Sequence, residues 1–185
     1  MMNIFENQRN SIMEFNEIYF WTATISKWRK LLSEDAFKNI IIESMNYLTQ
    51  KNKIAVYGFV VMPNHIHIIW EMLEMNGKEK PYTSFLKHTS HQMQKKLRMI
   101  NMNTYLSYNV AEITRKQRYW KRDPLAIKIL SREMLQQKLE YCHNNPLQAH
   151  WNLASTQEDY FYSSAFDYMN NFSRFSFLTH YFDRV

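Results

Sequence analysis

Two strongly apolar runs meet at a Pro-Asn pair in Tyr57-Gly58-Phe59-Val60-Val61-Met62-Pro63-Asn64-His65-Ile66-His67-Ile68-Ile69-Trp70, and this junction constrains the fold more than any other stretch. β-Branched and aromatic residues dominate both runs, as strands favour, and Pro-Asn suits the turn between them. The spacing predicts an antiparallel hairpin with strands over residues 53–62 and 65–72. Side chains alternate faces along a strand, so His65 and His67 project together while Ile66, Ile68 and Trp70 cover the other face. Two imidazoles on one rigid face are a candidate metal site; two histidines making ordinary hydrogen bonds at a sheet surface are the bland reading.

The rest of the chain supplies partners for this hairpin. Residues 17–25 are rich in aromatic and β-branched side chains and predict a first strand. Ser33 followed by Glu34 and Asp35 reads as a helix start, and Phe37, Ile40, Ile41, Met45 and Leu48 recur at helical spacing to about Gln50. Leu86, Met93, Leu97 and Ile100 define a second helical face, with Lys87, His91, Lys95 and Arg98 on a separate stripe that is either solvated surface or a nucleic-acid contact. Residues 101–110 are weakly patterned and expected to be irregular. Arg115-Lys116-Gln117-Arg118-Tyr119-Trp120-Lys121-Arg122 packs five cations around two aromatics, and a short strand is expected over residues 118–122. Ser131 is placed to cap a helix whose buried stripe is Leu135, Leu139 and Cys142 and which ends near Pro146. On it, Tyr141 and Asn145 lie four residues apart and share a face. Ser164-Ala165-Phe166-Asp167 has capping-box-like spacing and predicts a short helix ending before Phe172; the last dozen residues carry too little pattern to place. This order of elements predicts one α+β domain over residues 1–185, a ferredoxin-like antiparallel sheet with helices packed on one face.

Composition narrows the partners. Twenty-three Lys+Arg against seventeen Asp+Glu give a net charge of +6, and twelve Phe, twelve Tyr and five Trp are interleaved with those cations. That mixture suits single-stranded nucleic acid, where cations follow phosphates and rings stack on bases, although most of these rings belong in a core. The single cysteine, Cys142, excludes an internal disulfide and fits a reducing compartment. No apolar run approaches the ~18 residues of a membrane span, and the N-terminus lacks a secretory pattern, so a cytoplasmic protein without membrane contact is expected.

The segment Val61 through His67 resembles the HUH motif of single-tyrosine transposases, and Tyr141-Cys142-His143-Asn144-Asn145-Pro146 resembles the Tyr-x-His-x-Asn-Pro signature of REP-associated tyrosine transposases. Tyr119-Trp120-Lys121-Arg122-Asp123, Asp159-Tyr160-Phe161-Tyr162-Ser163-Ser164-Ala165 and Ile18-Tyr19-Phe20-Trp21-Thr22-Ala23-Thr24 extend the similarity over residues 18–168. The resemblance implies an HUH fold and a metal-dependent endonuclease that cuts and rejoins one strand of hairpin-associated DNA. It implies that His65, His67 and Asn145 hold Mg²⁺ or Mn²⁺, that Tyr141 is the nucleophile forming a 5′-phosphotyrosine, and that the protein works at the nucleoid. Lys87, Lys95, Arg98, Arg115, Lys116, Arg118, Trp120, Lys121 and Arg122 are then the candidates for gripping single-stranded or hairpin DNA. A homodimer and a monomer both remain open. His143, about 200° round the helix from Tyr141, is assigned a supporting role. Residues 123–127 lack the histidine that relatives often carry, and His150-Trp151 replaces the small residues expected after Asn-Pro, so packing there is expected to differ. Two other readings compete: a catalytically silent hairpin-binding descendant, and a single-stranded RNA-binding module with aromatics exposed on its sheet.

Overall fold

A computed structural model describes residues 12–109, 119–170 and 173–184. Among them, β1 (Ile18–Thr24), β2 (Ile54–Val61), β3 (His65–Met72) and β4 (Leu125–Lys128) form one antiparallel sheet in the order β2-β3-β1-β4. The expected hairpin forms: Met62 donates its amide to the carbonyl of His65 at 2.8 Å, closing the turn over Pro63-Asn64. The register of β1 on β3 sets Thr22 opposite His67 and Thr24 opposite His65. Paired residues share a face. The two histidines therefore look out beside two threonines.

Helices cover both faces, where the sequence reading placed them on one. α1 (Asp35–Gln50) and α2 (Pro81–Ile100) pack against each other, and α2 presses Phe85 onto Trp21 and Trp70, with ring centroids 5.9 and 5.8 Å apart. Trp21, Trp70 and Phe85 are all fully buried, and such burial is worth roughly 1.5–3 kcal/mol for a ring of phenylalanine size. On the opposite face lies α4 (Arg132–Asn144), which buries Leu135, Leu139 and Cys142 against β2 and β3. Its start is fixed by Ser131, whose hydroxyl accepts from the Met134 amide at 3.2 Å, as its position predicted. Close approach of α4 to β2 depends on Gly58, where a Cβ would collide with Leu139 Cδ1.

Several local expectations need correction. Ser33 sits in a tight turn before α1 and makes no capping bond; Glu34 holds the cap position without a side-chain bond. α2 starts at Pro81, whose missing N–H costs nothing in a first turn. Part of the segment expected to be irregular is a helix, α3 (Met102–Asn109), started by Asn101, whose side chain accepts from the Thr104 amide, and held by buried Tyr105 and Tyr108. Tyr108 stacks on Tyr119 at 4.9 Å. The strand expected over residues 118–122 is, in its described part, only a single bridge between Trp120 and Ile25; the regular strand β4 begins after Pro124, which has no amide to give a ladder. α5 (Ala165–Met169) ends before residue 172, but Asp167 turns to the amides of Arg174 and Phe175.

The stretch leading into α5, and part of the last dozen residues left unplaced by pattern, lie along the outer edge of β2. Val61 donates to Tyr162 O, Ser164 to Phe59 O and Thr179 to Val56 O, at 2.8–3.0 Å. Arg184 reaches Glu71 on β3 at 3.1 Å, and the same buried carboxylate accepts from Tyr57 Oη at 2.8 Å. No described helix is long and apolar enough to cross a membrane.

Candidate active site

His65 and His67 leave β3 toward α4, and their rings lie 4.7 Å apart. Tyr141, on the face of α4 turned to the sheet, places its ring 5.3 Å from His67 and 5.9 Å from Phe20, while Phe20 stacks on His67 at 5.0 Å. Tyr141 is still 45% exposed, so its hydroxyl is reachable from solvent. Asn145 follows in a 3-10 turn (Asn145–Leu147) and is 4% exposed. The four residues thus line one cleft of about 280 Å³, together with Thr22, Asn64 and Gln148 at its wall and Trp28, His150 and Trp151 toward its mouth.

The imidazoles are held neutral. Burial, reinforced by His150, lowers His65 to about 4, and burial, with His65 and then Lys138, lowers His67 to about 3. The tautomer of His65 follows from its neighbour. Asn64 Oδ1 lies 2.6 Å from His65 Nδ1 while the same amide donates to Trp28 O at 3.4 Å, so Nδ1 carries the proton and Nε2 keeps its lone pair. Thr22 Oγ1 stands 2.7 Å from His67 Nδ1. With Thr22 accepting, the lone pair of His67 Nε2 is also free, and that atom is buried without a hydrogen-bond partner. An orphaned buried polar atom costs about 1–3 kcal/mol, which a bound cation would offset.

That orphan is the observation that fits a metal. Two neutral imidazoles and the amide of Asn145 are a donor set for a divalent ion with open positions. No three His, Cys, Asp or Glu side chains gather as a metal cage among the described residues, so a cation held here would need an amide oxygen as a third protein ligand. No carboxylate lines the cleft among the described residues, and Lys138 on α4 stands 5.4 Å over the Phe20 ring. A cleft free of carboxylates with an ammonium close by suits an anionic visitor.

The fold matches that of a REP-associated tyrosine transposase solved bound to a REP hairpin, with a TM-score of 0.60, 14% sequence identity, and 91% of this chain and 88% of that chain covered. At this identity the match shows the fold. No protein-family model matches the sequence, and no curated protein does.

Among the described residues, the candidate DNA-gripping side chains do not form one surface. Lys87, Lys95 and Arg98 ride on α2, across the sheet from the cleft; Lys87 pairs with Glu79, and Arg98 donates to Tyr105 Oη at 2.6 Å. Trp120 is interior, its indole N–H donating to Thr89 Oγ1 at 2.9 Å, so it is unavailable for stacking on a base. Lys121 reaches the cleft rim, 5.5 Å over the Trp28 ring, and Arg122 is exposed. Arg115, Lys116 and Arg118 lie outside the described residues. His143 packs away from the cleft, 2.9 Å from Ser164 Oγ, and burial lowers it to about 4.

Sequence reasoning missed Thr22, Asn64, Gln148 and the two mouth tryptophans as cleft residues, and Lys138 as the cation beside them. Asn64 adjoins His65 and Lys138 precedes Tyr141 by three positions, both readable signals. Thr22 carries none, because strand register between distant segments is not local.

Proposed function

We propose that this protein is a metal-dependent, single-tyrosine DNA endonuclease and strand transferase acting on hairpin-associated DNA. The single observation that carries this reading is the placement of the solvent-reachable Tyr141 beside His67, whose buried Nε2 lacks a partner, in a cleft without carboxylates. The likeness in fold to a hairpin-bound tyrosine transposase supports it.

His65 and His67 through Nε2, with the Asn145 amide oxygen, would hold Mg²⁺ or Mn²⁺; the imidazole-rich donor set favours Mn²⁺. A cation there supplies polarisation of the scissile phosphate and offsets charge developing in the transition state. Tyr141 attacks the phosphorus, the bond to the 3′ oxygen breaks, and the products are a 5′-phosphotyrosine and a free 3′-hydroxyl. The phenolic proton leaves to solvent through the exposed side of the ring, and the departing oxygen takes one back. Because the phosphotyrosine keeps the phosphodiester energy, attack by a 3′-hydroxyl reverses the step and rejoins strands. Lys138, one turn before Tyr141, contributes a positive charge that holds the phosphate toward the nucleophile. Asn64 keeps the His65 imidazole in its ligating tautomer, and Thr22 holds the orientation of the His67 ring.

The test is incubation with end-labelled DNA hairpins carrying unpaired flanks and Mn²⁺, followed by denaturing electrophoresis. A covalent protein–DNA band that needs the metal and disappears in Tyr141→Phe is expected. Absence of the band with every hairpin drawn from the host's repeats sinks the catalytic reading, and its persistence in Tyr141→Phe moves the nucleophile elsewhere.

A further inference from the structure

The mouth of the cleft is built at a conformational expense that packing does not explain. Lys27 and Trp28 are consecutive non-glycine residues with φ of 59° and 57°, a region that bulky side chains avoid. The turn they make leaves Trp28 59% exposed, so the strain does not bury the indole. Its backbone is nonetheless pinned: Trp28 N–H donates to Ile25 O at 3.0 Å, and Trp28 O accepts from the Asn64 amide at 3.4 Å. Asn64 is the residue that also fixes His65, so one side chain ties the exposed indole to the histidine site. Strain concentrated where a side chain is presented to solvent beside a reactive cleft points to a ligand.

A second indole stands at the same mouth. Trp151, half-buried, lies 5.9 Å from the His65 ring, and its amide donates to Gln148 O at 2.8 Å. Each indole has its own ammonium: Lys121 Nζ is 5.5 Å from the Trp28 ring and Lys30 Nζ is 5.7 Å from the Trp151 ring. A flat π-face paired with a cation matches the two halves of an unpaired nucleotide, its base and its phosphate.

We propose that Trp28 and Trp151 are stacking platforms for unpaired bases of the strand delivered to Tyr141, with Lys121 and Lys30 engaging the adjoining phosphates. The assignment rests on the cleft being a DNA-strand site. It makes the mouth selective for single-stranded over paired DNA, because paired bases have no free face to offer. Both platforms are positioning residues and touch no reacting atom.

The test measures anisotropy of a labelled oligodeoxyadenylate of about 12 nucleotides, within the footprint of single-strand binding sites, against a duplex of the same length, both without metal. Trp28→Ala and Trp151→Ala each weaken single-strand binding about tenfold or more while duplex binding changes less than about threefold, and Trp28→Phe restores affinity where Trp28→Leu does not. The exposed Trp28 variants keep the wild-type thermal unfolding midpoint. Unchanged single-strand affinity in both alanine variants overturns the proposal, as does an equal loss for duplex, or rescue by leucine equal to that by phenylalanine. The covalent band is scored separately. Loss of single-strand affinity in the alanine variants, when the wild type forms no band, leaves the platforms standing and removes the catalysis; a wild-type band with unaltered single-strand affinity in the variants does the reverse.

Discussion

Gly58→Ala isolates the contact that sets the height of the tyrosine helix over the sheet. A Cβ at this position collides with Leu139 Cδ1 and comes within 3.5 Å of Ser164 Oγ and 3.6 Å of Ile69 Cδ1. Leu139 is 7% exposed, so its methyl has little room to swing aside. Overpacking of this kind costs about 1–3 kcal/mol, and Leu139→Ala alone costs about 2–5 kcal/mol through its cavity. In the double variant the added methyl enters the space the leucine vacates, so the combined loss falls short of the sum by about 1 kcal/mol or more. Urea unfolding reads this as a change in midpoint at constant slope. Tyr141 lies two residues beyond Leu139, so lifting α4 also displaces the ring now 5.3 Å from His67. A misplacement of about 1 Å lowers the rate of covalent adduct formation by about 10²-fold. Strict additivity in the double variant, or a Gly58→Ala protein as stable and active as wild type, refutes the argument that this glycine sets the helix height.

Two further outcomes follow from the site and the core. Mn²⁺ at about 100 times its dissociation constant stabilises the protein by about 2.7 kcal/mol, and His65→Ala or His67→Ala abolishes the rise in Tm; equal midpoints with Mn²⁺ and with chelator would falsify the metal assignment. At high pH, burial pushes Tyr119 up to about 12 and lifts Tyr57, Tyr160 and Tyr168 above the usual phenol range, with the Glu71 hydrogen bond adding to the shift of Tyr57. These folded-state values exceed the unfolded value of about 10, so their stabilisation is complete below pH ~10 and is lost as pH rises toward 12 and beyond. Tyrosinate absorbance from these residues should then appear together with loss of near-ultraviolet circular dichroism; titration near pH 10 in an intact fold contradicts it.

What the sequence disclosed was local. The Pro63-Asn64 hairpin, the shared face of His65 and His67, and the Ser131-capped helix carrying Tyr141 and Asn145 follow from periods of two and 3.6 residues, and those four side chains do meet in one cleft. Their meeting across some seventy residues was supplied by resemblance and not by periodicity. Trp120 shows the limit of composition: an aromatic among cations looks like a nucleic-acid contact, yet a hydroxyl 31 positions away draws its indole into the interior. Trp28, set among Lys27, Arg29 and Lys30, carries the same compositional signal, and it is this indole that a left-handed backbone presents at the cleft mouth. The placement of α4 on the face opposite α1 and α2 likewise depends on connections that no window of sequence reveals.

The segment laid along β2 has a consequence for how copies of this chain treat one another. An outermost strand offers its unused amides and carbonyls to any passing strand, and Phe59-Val60-Val61-Met62 is apolar, uncharged and of high strand propensity. Here those groups are occupied from within, at Tyr162 and Ser164 toward one end and Thr179 toward the other. Arg184, gripping the buried Glu71, anchors that cover beyond Thr179. The clasp therefore withdraws this edge from templated self-association, and loosening it would leave an adhesive strand open.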